Sequence, residues 1–155
     1  MRILIVAGTC LLFGASLAAQ STDSSSMSGK ALTWGPAPAV FPAGAKMAVV
    51  SGNPMTAGTF IIQLSMPDGY KIMPHTHPTD ENVTVKKGTF NVGMGDKWDA
   101  GKAKPMATGA SGTVPAHMSH FAQTKGATVV EVTAVGPFAM TYVNPSDDPS
   151  KKMAP

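Results

Sequence analysis

Turn-forming residues punctuate this chain at intervals that leave room for strands and not for a long amphipathic helix. Among its 16 glycines and 13 prolines, clear breaks fall at Gly52-Asn53-Pro54, Pro67-Asp68-Gly69, Gly95-Asp96, Lys125-Gly126 and Gly136-Pro137. Between the breaks, apolar residues alternate with polar ones or run in short β-branched blocks. The predicted strands are 46–50, 59–66, 70–74 running into a histidine pair, 82–85, 89–93, 112–114, 120–123, 127–134 and 138–143. Many short strands at this spacing predict an all-β sandwich or barrel. The polar segment 96–104 is predicted as a loop with at most one short helical turn.

The chemistry concentrates between Gly69 and Gly88. That stretch carries His75, His77 and Glu81, and His120 follows further along. Three of the four histidines and one of the two glutamates therefore join one pattern. Strand side chains alternate faces with a period of two, so a strand over 72–77 points His75 and His77 to one side and Thr76 to the other. Pro74 and Pro78 favour extended backbone at the residue before each. Pro78-Thr79-Asp80 turns the chain, Glu81 starts the next strand, and Lys86-Lys87-Gly88 is predicted as a hairpin turn. Imidazoles with a carboxylate suit a Zn, Fe, Mn, Ni or Cu ion. The bland alternative is a pair of surface histidines beside an acidic turn.

Two motifs carry a resemblance to the cupin superfamily. The first, G(X)5HXH(X)3,4E(X)6G, is matched at every fixed position by Gly69, His75, His77, Glu81 and Gly88. The second, G(X)5PXG(X)2H(X)3N, is matched by Gly109, Pro115 and His120, with His117 in place of the glycine and Thr124 in place of the asparagine. The segment 136–149 also resembles the end of small exported single-domain bacterial cupins of unassigned function. The resemblance implies a single-domain antiparallel β-barrel, or jelly roll, over 32–144. It implies a metal held by His75, His77, Glu81 and His120, and a homodimer formed through edge strands. The departure at His117 puts the loop before His120 in question, because histidine takes up glycine conformations less freely.

The start of the chain speaks to compartment. Met1-Arg2 is a short basic start, 3–17 is an apolar run, and Ser16-Leu17-Ala18 is a small-x-small cleavage signal. Residues 1–18 are predicted as a secretory signal peptide, too short for a membrane span, giving a periplasmic or secreted protein. Cys10, the one cysteine, leaves with that segment. Residues 19–31 are predicted as a Ser-rich disordered linker and 145–155 as a polar tail. The stretch 36–44, rich in Pro, Ala and Gly, is expected over the surface or along a sheet edge. Neither a run of basic residues nor basic-aromatic interleaving supports nucleic-acid binding.

Other residues admit two readings each. The 11 methionines are dispersed, which favours gap-filling in a core over copper handling. Glu131 either enters the barrel or faces solvent, and the solvent face is favoured. His117 is a mouth residue, a proton carrier or a loop histidine, with the loop favoured; Asp80 is expected to be solvated. Trp98 either caps the barrel or joins an interface. Alternation turns Ile62, Leu64, Phe90, Val92 and Phe121 towards one interior or the other. A Gly-rich phosphate loop and a GxSxG nucleophile motif are absent from the sequence. Three function classes remain. One is a metal-dependent oxygenase, isomerase or lyase acting on a small molecule, for which Glu131, His117 and Tyr70 are the candidate catalytic bases. The second is a module that holds metal and ligand without turnover. The third is a structural barrel with a vestigial site.

Overall fold

The computed structural model describes residues 31–152, and the chain has an all-β architecture there. The segments read as signal peptide, nearly all of the Ser-rich linker, and 153–155 lie outside the described residues. The strands are β1 (Gly35–Pro36), β2 (Lys46–Ser51), β3 (Gly58–Met66), β4 (Lys71–Thr76), β5 (Glu81–Met94), β6 (Lys104–Ala107), β7 (Ser111–Val114), β8 (His120–Gly136) and β9 (Thr141–Tyr142). Two short 3₁₀ turns, Ala100–Lys102 and Pro145–Asp147, and α1 (Pro149–Lys152) complete the elements. All the pairings are antiparallel. The order β1-β2-β3-β8-β4-β9 makes one path, while β5 joins β6, β7 and β8.

Period-two patterning builds the core. β3 buries Phe60, Ile62, Leu64 and Met66 and turns the residues between them to its other face. Across the ladder, Phe60 faces Ala134, Ile62 faces Val132 and Leu64 faces Val130, all buried. Each large apolar side chain taken out of water in this way stabilises the fold by about 1.5–3 kcal/mol.

Several features differ from the sequence reading. Lys86-Lys87-Gly88 is no hairpin turn. β5 runs straight through it, with register shifts between Val85 and Lys87 and between Lys87 and Thr89. The inward phase changes there. Glu81, Val83 and Val85 point in before it, Phe90 and Val92 after it, as a bulge with one extra residue requires. Gly88 has φ +79°, and a Cβ there would lie 2.6 Å from Thr128 Oγ1 and 2.7 Å from the Ala127 carbonyl. Lys125-Gly126 likewise lies within β8 and does not end it. Bending both long strands lets one sheet curl into a barrel.

The second difference is the 36–44 stretch. Its start pairs with β2 along the sheet edge as expected, but Phe41 leaves the surface and is buried in the core. Phe41 stacks on Phe138 at 6.0 Å. The Tyr142 hydroxyl donates to the Val40 carbonyl, and the Tyr70 hydroxyl to the Pro42 carbonyl. The segment is thus a strap pinned on both sides of Phe41. β6 was not anticipated either. It is a short edge strand whose Pro105 needs no ladder partner for a missing N–H.

Candidate metal centre

β4 and β8 place two of the histidines. Ile72 and Pro74 are buried, so strict alternation would send His75 outward. The β4–β8 register shifts between Ile72 and His75, and the irregularity at Pro74 returns His75 to the inner face. There His75 lies directly opposite His120, and directly opposed residues share a face. His77 lies just past β4, its carbonyl accepting the His117 backbone N–H at 2.8 Å. Glu81 opens β5 on the same inner face as Val83. Asp80, exposed beside it, accepts the Ala116 backbone N–H at 2.8 Å and so ties the two motif loops together.

The three imidazoles converge. Ring centroids are 4.1 Å apart for His75 and His120, 5.0 Å for His75 and His77, and 5.3 Å for His77 and His120. One ligating atom from each lies within 4.8 Å of the other two, and all three residues are buried. The Glu81 carboxylate stands 3.4 Å from His120 Nε2 and 3.7 Å from His77 Nε2. Ligand atoms held about 2.1 Å from one ion are separated by about 3–4 Å, so Glu81 has the spacing of a fourth donor.

The far side of each ring settles its proton. Nδ1 of His75 meets the Met73 carbonyl at 2.7 Å, Nδ1 of His77 the Ala139 carbonyl at 2.8 Å, and Nδ1 of His120 the Met118 carbonyl at 3.0 Å. A carbonyl only accepts, so each Nδ1 carries a hydrogen, and Nε2 is the ring atom left to ligate. His77 Nε2 is buried without any hydrogen-bond partner among the described residues. With all three rings neutral, the centre gathers three lone pairs beside the Glu81 carboxylate. Left alone, such a set of buried acceptors is costly; a cation satisfies all of them at once. Backbone carbonyls behind the rings hold their orientation, as outer-shell acceptors do in metal sites. Burial, followed by the His120 and His77 neighbours, lowers the His75 pKa to about 3, so this ring is neutral and able to ligate at neutral pH. Burial pushes the Glu81 carboxyl up, but His120, His77 and His75 together outweigh it and hold it below its ordinary value.

The candidate bases lie elsewhere. Glu131 sits on the outer face of β8, accepts from Gln63 Nε2 at 2.9 Å and pairs with Lys86 Nζ at 3.6 Å. Tyr70 is tied to the Pro42 carbonyl, and burial, with Tyr142 beside it, raises its pKa. His117 is exposed with φ +61°, taking up the left-handed conformation that the motif glycine would supply; histidine is among the side chains that tolerate it. Thr124, at the asparagine position, donates to the Pro67 carbonyl at 2.6 Å and accepts the Tyr70 N–H at 2.8 Å. Its hydroxyl clamps the turn before β4. Leu64, Phe90 and Val92 line the cavity beneath the histidines. Phe121 instead packs on Trp98 at 5.1 Å, and Lys71 Nζ lies 5.2 Å from the indole centroid. Phe41 and Met140 also line that cavity. No motif marks them, because they arrive from loops.

No family model and no curated protein matches the sequence. Solved structures do. A proposed acetylacetone dioxygenase from Methylibium petroleiphilum is 18% identical over 89% of this chain and 88% of its own, with a TM-score of 0.59. The polyketide cyclase RemF from Streptomyces resistomycificus is 16% identical over 70% of this chain and 78% of its own, with a TM-score of 0.58. An RmlC-like cupin from Shewanella frigidimarina is 19% identical over 67% of this chain and 83% of its own, with a TM-score of 0.53. At such identities the likeness speaks to architecture, and the chain has the cupin fold: a single-domain antiparallel β-barrel with a buried histidine triad. No helix among the described residues is long and apolar enough to cross a membrane.

Proposed function

We propose that this protein holds one divalent transition metal through His75, His77, His120 and Glu81, and that a small molecule takes an open position on the ion. The observation that carries this is the buried, unpartnered His77 Nε2 inside the cluster of His75, His77, His120 and Glu81. The donor set, three imidazoles and one carboxylate, fits Zn, Fe, Mn, Ni or Cu. When bound, the ion supplies Lewis acidity towards an oxygen donor of the ligand. The chain's own residues fix the imidazoles through Nδ1, supply one negative charge from Glu81, and exclude water with Phe41, Leu64, Phe90 and Met140.

The reaction class best supported is a metal-dependent oxygenase, isomerase or lyase. The dioxygenase and cyclase among the structural neighbours support it by likeness of fold. The second reading is a binding or sensing module without turnover. It is favoured by the placement of Glu131, His117 and Tyr70 away from that cavity, whose titratable lining among the described residues is the ligand set alone.

A thermal-shift screen on metal-loaded protein tests the small-molecule reading. Diketones, enolates or phenolic acids are expected to stabilise it, and sugar phosphates are not, because the walls around the centre are mainly apolar and the chain has no arginine but Arg2 to clamp a phosphate. Stabilisation by sugar phosphates alone would sink the proposal. Incubation with a stabilising compound then separates the two readings: consumption supports the enzyme, and unchanged compound supports the module.

We also propose that the protein works after export, in the periplasm or outside the cell, with residues 1–18 removed. The basic start, the apolar run and Ala18 support this. Intact-mass measurement of the native protein is expected to start after Ala18, and a mass retaining Met1 or Arg2 would contradict it.

A further inference from the structure

The cavity beneath the histidines has a volume of about 30 Å³. That is room for an ion and about a water molecule, and not for an organic ligand. A second hollow of about 470 Å³ lies beside it and shares Val83, Val92 and Val114 with the cavity wall. Pockets that hold small molecules have volumes of about 300–1,000 Å³. Any molecule that reaches the centre from this side must lie in that groove.

The groove lies along β6 and β7, which among the described residues pair with β5 alone. Its apolar lining is Val83, Val92, Met94, Met106 and Val114. Gly112 keeps one wall low, since a Cβ there would already meet Met106 Cε at 3.4 Å. Register decides which way the β6 side chains project. Lys104 is directly opposite Val92, and Met106 directly opposite Phe90, and both partners line the inner cavity. Lys104 and Met106 therefore share the concave face of β5. Lys102 also lines the groove, with its Nζ 3.8 Å from Asp99 Oδ2. Lys104 has no carboxylate within ion-pair distance among the described residues. The lining holds two ammonium groups and no carboxylate.

We infer that this groove binds a small apolar molecule bearing a carboxylate, with Lys104 holding the carboxylate and the valine and methionine walls holding its body. The opposite end of the molecule then points past the shared valines towards Glu81 and the histidines. That orientation keeps the ligand's charge away from the Glu81 carboxylate. The inference rests on the metal-centre reading only for that inner end. Lys104 is the specificity residue, because it distinguishes an anion from a neutral molecule of the same shape.

The test is a ¹⁹F NMR titration of zinc-loaded protein with 4-fluorobenzoate and with its neutral methyl ester. The acid is expected to bind saturably and more tightly than the ester. Lys104→Met, which keeps the aliphatic stem on an exposed strand position, is expected to weaken the acid by about twofold to fivefold, as loss of an exposed ion pair does, and to leave the ester unchanged. Lys46→Met, on β2, is expected to change neither. Equal affinity for acid and ester, an acid affinity untouched by Lys104→Met, or no saturable binding would overturn the inference. A groove covered by a second copy of the chain would appear as a dimer in light scattering with no saturable binding, and would overturn it too. Zinc content is measured on the same samples. One zinc per chain with no charge-selective binding removes the groove and leaves the metal centre. Binding that depends on Lys104 in a chain that takes up no zinc removes the metal centre and leaves the groove.

Discussion

Stripping the metal with a chelator is expected to lower the melting temperature by roughly 10 °C, and His77→Ala is expected to abolish that response. A ligand that binds only the native state stabilises it by RT ln(1 + [L]/Kd), about 2.7 kcal/mol at a hundredfold excess. For a domain of this size each kcal/mol moves the midpoint by about 4 °C. His77 is the informative position because its Nε2 has no other partner. Its truncation also removes the Nδ1 bond to the Ala139 carbonyl and the contact with Phe138 at 5.3 Å, so the variant starts from a lower midpoint. The readout is the difference made by chelator, not the absolute value. An unchanged melt in protein shown to be metal-free would remove the metal's part in stability.

The metal-free protein is expected to lose stability steeply in acid. The folded-state pKa of His75 is about 3 against an ordinary 6.5. Between those values the unfolded chain binds a proton that the native chain refuses. Stability from this group is therefore fully present above about pH 6.5 and falls as pH drops towards 3. The slope is about 1 kcal/mol per pH unit. Glu81 acts in the same direction. Its folded pKa lies below its ordinary value, so its contribution is present above that ordinary value and fades as pH falls through the folded one. The His75 part alone amounts to several kcal/mol by about pH 3, comparable with the low end of a small domain's stability of about 5–15 kcal/mol. Urea unfolding of metal-free protein at pH 7, 6, 5 and 4 checks this, and His75→Gln is expected to flatten the dependence between 6.5 and 5. A midpoint independent of pH in that range would contradict the burial argument.

Most strands and the grouping of His75, His77 and His120 could be read from the sequence because both depend on local pattern. Alternation in 59–66 located the core face of β3, and the His75-x-His77 spacing put two imidazoles on one side. Yet His75 faces inward through an irregularity at Pro74 that alternation alone does not contain. Gly88 shows the limit most clearly. A glycine at positive φ serves a hairpin turn and a strand bulge equally well, and only the nearby Ala127 and Thr128 backbone distinguishes them. Phe41 was hidden for a related reason. Its Pro- and Gly-rich surroundings read as surface, and the two tyrosine hydroxyls that pin them come from distant positions. Lys104 is a single lysine in a polar segment, and nothing in its neighbours along the chain marks it. Its meaning comes from the partner strand that turns it towards the groove.

The most direct test of the metal centre is an anomalous-scattering experiment on crystals of protein loaded with a single metal. One peak is expected about 2.0–2.3 Å from Nε2 of His75, His77 and His120 and from a carboxylate oxygen of Glu81. A loaded crystal whose peak lies outside that cluster, or whose imidazoles meet the ion through Nδ1, would contradict the account.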